Sequence, residues 1–166
     1  MKKEPEIRDF PETKLIGKQM KMSFAENQTS ELWHSFAPNL KFVKNNVSSE
    51  LYSVEVYNDV DFFKNFNPQL QFEKWATIQV SDFDSVPEGL EKLTIPAGKY
   101  AVFQYKGKPA NAAEFYRHIY ETWLPESGYN LDNRPHFAVM GEKYKNDDPD
   151  SEEEIWIPVT EKDAAG

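Results

Sequence analysis

Cysteine is absent from the 166 residues, which excludes disulfide frameworks, thiolate metal sites and cysteine nucleophiles. Histidine is scarce: His34, His118 and His136 lie too far apart in sequence for zinc-ligand spacing, so neither a metal nor a cofactor is expected. Basic residues are outnumbered, 19 Lys and Arg against 28 Asp and Glu, leaving a net charge of −9. With no basic stripe to offset that field, direct nucleic-acid binding is not expected. No run approaches the roughly 18 apolar residues that cross a bilayer, and the opening "MKKEPEIRDF" lacks the apolar core of a signal peptide. A cytoplasmic protein without a membrane partner is the expectation. Phosphate-cradling glycine loops and the G-x-S-x-G nucleophile context are also missing, which disfavours nucleotide chemistry and serine hydrolysis. The acidic stretch "NDDPDSEEE" lacks the glycine and terminal glutamate spacing of a calcium loop and reads as a solvated turn.

What the chain does have is aromatic side chains, 14% of residues within a hydrophobic share of 39%, enough for a packed core. One domain is expected over residues 1–160, followed by a flexible tail at 161–166. Along it, "TKLIGKQMKMSF" reads as a strand, "NQTSELWHSFAP" as a short helix, and "SELYSVEVYND" and "QFEKWATIQVSD" as strands. The order then repeats. "PAGKYAVFQYKG" is a strand, "ANAAEFYRHIYETWLPESGY" a helix ended near Pro125, and "RPHFAVMGEKY" and "EIWIPV" are strands.

Local likeness supports two half-repeats, about residues 10–82 and 86–160: "SVEVY" parallels "HFAVM", and "EKW" parallels "EIW". The expected fold class is α+β, with duplicated β-α-β-β units forming an antiparallel sheet, helices on one face and a ligand cleft on the other. Strand alternation then assigns the aliphatic residues to the helix layer. It leaves Glu55, Tyr57, Glu73, Trp75, His136, Ala138, Met140, Glu154 and Trp156 on the cleft face. Aromatic rings attract cations by about 0.5–2 kcal/mol each, and carboxylates add Coulomb attraction. Such a face favours a small, planar, amphipathic, cationic molecule.

The ordered combination of "PAGKY", "WLPESGY" and "EIWIPV" resembles the GyrI-like small-molecule-binding domain, also described as the effector-binding domain of multidrug-responsive transcription activators. The match is tightest from Val86 to Val159. The resemblance implies a pseudo-symmetric pair of β-α-β-β units with a cleft between them. It also implies that an acid and an aromatic on the penultimate strand, in a pattern near F-E-x-Y, meet the ligand. This chain has "FAVM" there, with Ala138 and Met140 at those positions, while Glu55 and Tyr57 stand in the related positions of the other half. Glu55 is therefore the expected acid, Glu154 a second one, and Trp75 and Trp156 the walls.

Three functions fit this reading. The first is a stand-alone binding module that senses or sequesters its ligand, with transcription control through a protein partner. The second is a hydrolase of electrophilic small molecules using Glu55 or Glu154. The third is an acidic interaction module acting through the turn ending at Glu153.

Overall fold

A computed structural model describes residues 4–57, 62, 67–108, 113–141, 144 and 148–162. Nine strands and two helical segments follow in the order β1 (Glu6–Phe10), β2 (Thr13–Ser23), α1 (Thr29–Phe36), β3 (Asn46–Val56), β4 (Gln71–Val80), β5 (Glu91–Ile95), β6 (Gly98–Lys106), α2, β7 (Tyr129–Leu131), β8 (His136–Met140) and β9 (Glu152–Glu161). A 3-10 turn, Ala37–Phe42, continues α1. Helix α2 starts as Ala113–His118, passes into a π turn at Ile119–Trp123 and ends as Leu124–Glu126. The secondary structure is thus α+β, and every strand pairing is antiparallel.

The sheet runs β1-β6-β9-β8-β3-β4-β2-β5, with β7 on β9 beyond the end of β8. This order carries a steric demand. β1 and β2 are joined by Pro11 and Glu12 alone, yet six strand spacings separate them in the sheet. Flat, that gap is about 29 Å. Three Cα steps reach at most about 11 Å. The link between β5 and β6, Pro96 and Ala97, makes the same demand. The sheet therefore curls until its two edges approach each other.

Curling gives the sheet an interior. Leu15, Tyr52, Val54, Trp75, Ile95, Tyr100, Val102, Phe137, Val139 and Trp156 form one buried cluster there, with Phe10 packed against it. In register, Trp75 faces Val54, Val54 faces Phe137, Phe137 faces Trp156, and Trp156 faces Val102, so one row crosses five strands. The outer face carries the next row: Ala76, Ser53, Ala138, Ile155 and Phe103. Leu32 and Phe36 of α1 pack with Ile16, Ala76 and Ile78. Phe115, Ile119 and Trp123 of α2 pack with Phe103, Ile155 and Ile157. The middle strand β8 is buried throughout, because the interior lies on one side and the outer clusters on the other.

The interior rings meet edge-on or stacked: Phe137 lies 5.3 Å from Trp156, 5.2 Å from Tyr100 and 5.0 Å from Phe10. Truncating the central ring, Phe137→Ala, is expected to cost about 3–5 kcal/mol in urea unfolding. Phe42→Ala, at a side chain 56% exposed, is expected to change stability by less than about 0.5 kcal/mol.

Candidate functional site

The nine residues expected on one face divide between two. Glu73, Trp75, Glu154 and Trp156 belong to the interior-facing set, whereas Glu55, Tyr57, His136, Ala138 and Met140 belong to the outer one. The expectation that alternation alone places all nine together is corrected. In β4 and β9 the aliphatic residues do face outward; in β3 and β8 it is Val54, Val56, Phe137 and Val139 that face the interior. Both faces of the middle strands are buried, so hydrophobicity carries no sign of direction.

The interior set forms a matched pair of contacts. The Trp75 indole N–H donates to Glu73 at 2.7 Å, and the Trp156 indole N–H donates to Glu154 at 3.2 Å, each to the carboxylate two residues earlier in the same strand. Arg8 lies over the Trp156 ring at 5.6 Å and within 3.8 Å of Glu154. Trp75 and Trp156 are 4% and 8% exposed, so they are packed core with carboxylates at its rim.

The outer set gathers around an ion pair. Met20, Lys74, Glu55 and His136 stand opposite one another across β2, β4, β3 and β8. The Lys74 ammonium donates to the Glu55 carboxylate, and both side chains are almost fully removed from water, at 14% and 10% exposure. Aromatic rings surround them. Tyr57 lies 4.8 Å from His136, 5.3 Å from Phe72 and 4.7 Å from Phe62, and Phe24 continues the row toward solvent at 5.0 Å from Phe72. From α2, the Tyr120 hydroxyl shares a 2.8 Å hydrogen bond with His136 Nδ1.

Burial sets the protonation of this cluster. It pushes the phenols of Tyr57, Tyr116 and Tyr120 well above their ordinary range, and the nearby Glu55 charge pushes the same way. It pushes the His136 imidazole down to about 3, with the Arg134 charge adding to the effect. Glu153 is held up to about 7 by burial first and Glu55 second, against the pull of Lys74. At neutral pH the phenols and the imidazole are uncharged, and Glu153 holds its proton to higher pH than a free glutamate does.

Sequence reasoning missed Lys74, Glu153, Tyr116 and Tyr120. The signal was present for two of them: Lys74 alternates with Phe72 and Ala76, and Glu153 alternates with Ile155 and Ile157. A charge on an aliphatic parity is a charge directed toward packing. Elsewhere, a depression of about 450 Å³ is lined by Gly98, Lys99, Asp132, Arg134 and Glu161 among others. Arg134 there is committed to structure. It donates to Asp132 at 2.6 Å and to the Lys99 and Val159 carbonyls at 2.7 and 3.1 Å, and it lies 4.7 Å from the Tyr100 ring. Among the described residues no group of three or more acidic or histidine side chains is placed to hold a metal, and no helix is long and apolar enough to cross a membrane.

Because Glu153 keeps its proton in the fold to higher pH than an unfolded glutamate does, the folded state binds more protons between about pH 4.5 and pH 7, and stability falls as pH rises through that window. His136 acts oppositely: its stabilising contribution is present above about pH 6.5 and is lost as pH falls toward 3. Glu153→Gln removes the first effect alone. Its thermal midpoint is expected to exceed that of the parent protein by a margin that widens from pH 5 to pH 8, read by circular dichroism melts.

A family model described as the GyrI-like small molecule binding domain matches residues 3–160. The transcriptional regulator BrlR of Pseudomonas aeruginosa is 32% identical over 93 residues, covering 55% of this chain and 34% of that protein. The chain thus spans about a third of the length of that relative. SAV2435, solved bound to tetraphenylphosphonium, superposes with a TM-score of 0.71 at 12% identity, covering 95% of this chain and 94% of that one. A hydrolase encoded by lin2189 from Listeria innocua superposes with a TM-score of 0.58 at 12% identity, covering 96% and 93%. The two structures establish likeness of fold. With the family model matching nearly its whole length, the chain belongs to the GyrI-like small-molecule-binding domains.

Proposed function

We propose that this domain binds a small, planar, amphipathic cation at the Glu55 cluster and serves as a sensor or sequestering protein, with any transcription control passing through a protein partner. The observation that carries the reading is a carboxylate buried among aromatic rings on the outer face of the two central strands. Each ring face offers about 0.5–2 kcal/mol to a cation once water is excluded, and the carboxylate supplies the charge complement. A protein of the same fold was solved with tetraphenylphosphonium, a tetrahedral aromatic cation, which supports the aromatic and cationic character of the ligand and not its planarity.

The proposal includes duplication. The sheet order is symmetric about the β8–β3 contact, pairing β9 with β4, β6 with β2 and β1 with β5. Matching "EKW" to "EIW" and "SVEVY" to "HFAVM" relates the row Lys74, Glu55, His136 to the row Ile155, Ala138, Ser53, and both rows are in register. One half offers an ion pair where the other offers aliphatic carbon. The reading places a ligand's charged head at Glu55 and its apolar body toward Ala138 and Met140, in the row of the other half.

A second reading is hydrolysis of an electrophilic small molecule, for which the half-buried Glu153, a carboxyl on the aliphatic outer face of β9 whose proton is held to higher pH by burial and by the Glu55 charge, suits proton transfer. Glu154, whose strand position puts it on the interior-facing side, is not proposed for that role.

Calorimetric titration with N-methylacridinium, a planar cation, and with acridine, its uncharged counterpart at mildly alkaline pH, tests the first reading. The cation is expected to bind more tightly, and Glu55→Gln to weaken it by about tenfold or more while leaving acridine unchanged. Equal affinity for both compounds in the parent protein sinks the cation assignment. Product formation abolished by Glu153→Gln supports the second reading; stable binding without turnover counts against it.

A further inference from the structure

We propose that Lys74 is the specificity-determining residue of this site: its ammonium is a tethered cation holding the position on Glu55 that a ligand cation takes, so that ligands bind by displacing it. This inference rests on the Glu55 reading above and sharpens it.

The surroundings of Lys74 are those of a guest. It enters from β4 between Phe72 and Ala76, opposite Met20, on a face otherwise given to packing. Its ammonium meets Glu55 Oε2, with Tyr57 and Phe72 forming an aromatic row beside them. In the matching row of the other half, Ile155 and Ala138 occupy the corresponding positions, so the fold accommodates this row with no charge at all. The Lys74 charge therefore answers to Glu55. Removing water from both ions is costly, and their attraction returns that cost only while they remain together. A ligand cation on Glu55 replaces one ion pair by another and leaves Lys74 in need of a new partner. Glu153 is a second carboxyl that feels the Lys74 charge.

This arrangement sets a threshold for ligands. A cation that brings only charge gains nothing over the tethered ammonium. A cation that also stacks on the rings gains contacts that the lysine stem cannot make. Selection for aromatic cations over simple ammonium ions then follows from the competition itself.

The test compares the parent protein with Lys74→Met, Lys74→Arg, Glu55→Gln and the Lys74→Met/Glu55→Gln double variant, each as the full chain, titrated with N-methylacridinium and acridine. Lys74→Met is expected to bind the cation at least about tenfold more tightly than the parent. Lys74→Arg, which keeps the charge, is expected to stay within about threefold of it. The gain must vanish in the double variant, because without Glu55 there is no site to vacate. Unliganded Lys74→Met is expected to melt lower than the parent and to recover on adding the cation but not acridine. If Lys74→Met does not fold, Lys74→Gln replaces it, and the double variant, which removes both charges together, provides the reference. Cation affinity in Lys74→Met equal to or below that of a parent that does bind overturns the role of Lys74 while leaving the Glu55 reading standing. Failure of every variant to bind the cation overturns both.

Discussion

Two connections of two residues each, Pro11–Glu12 and Pro96–Ala97, impose the shape on which everything else depends. Strands that are far apart along the sheet must start within a few ångströms of where their neighbours in sequence stop, and only a curled sheet satisfies both links. Proline at each link narrows the backbone choices in the unfolded chain, which reduces the entropy lost in making these short reversals. Once the edges approach, Leu15 of β2 and Leu93 and Ile95 of β5 share one buried cluster with Phe10 of β1 and Tyr100 of β6, which gives the closure an energetic basis.

The curl also explains where charge can sit. The interior admits indole N–H groups because each finds a carboxylate at the rim, two residues back on its own strand. The outer face admits a full ion pair because Lys74 and Glu55 stand in direct register and neutralise each other out of water. Among the described residues Glu153 makes no such ion pair, and burial together with the Glu55 charge holds its proton on. The same burial therefore produces an ion pair at one carboxyl and a near-neutral acid at another, according to whether a cation lies opposite.

Much of the fold was legible from alternation and turn residues. The strands containing "KLIGKQMK", "YSVEV", "KWATIQV", "YAVFQY", "HFAVM" and "IWIPV" appear where their patterns indicate, as does α1. The short strands β1, β5 and β7 were not legible. "EIRDF" and "EKLTI" carry charges and lie at the edges, and β7 has only three residues, so partners in space define them more than their own composition. Part of the outer cluster was legible: Glu55, Tyr57, His136, Ala138 and Met140 share one face. Trp75 and Trp156 do not join them, because alternation fixes which residues share a face of one strand and is silent on which face meets which layer when both are buried.

The register of Glu55 opposite His136, one step from Ser53 opposite Ala138, has a geometric consequence. Two strands running antiparallel offer a guest two equivalent ways to lie across them, head to one strand or head to the other. Unequal side chains at the matched positions remove that degeneracy. With carboxylate and imidazole at one end of the pair and hydroxyl and methyl at the other, the outer face of β3 and β8 is chemically directional although the order of its strands is nearly symmetric.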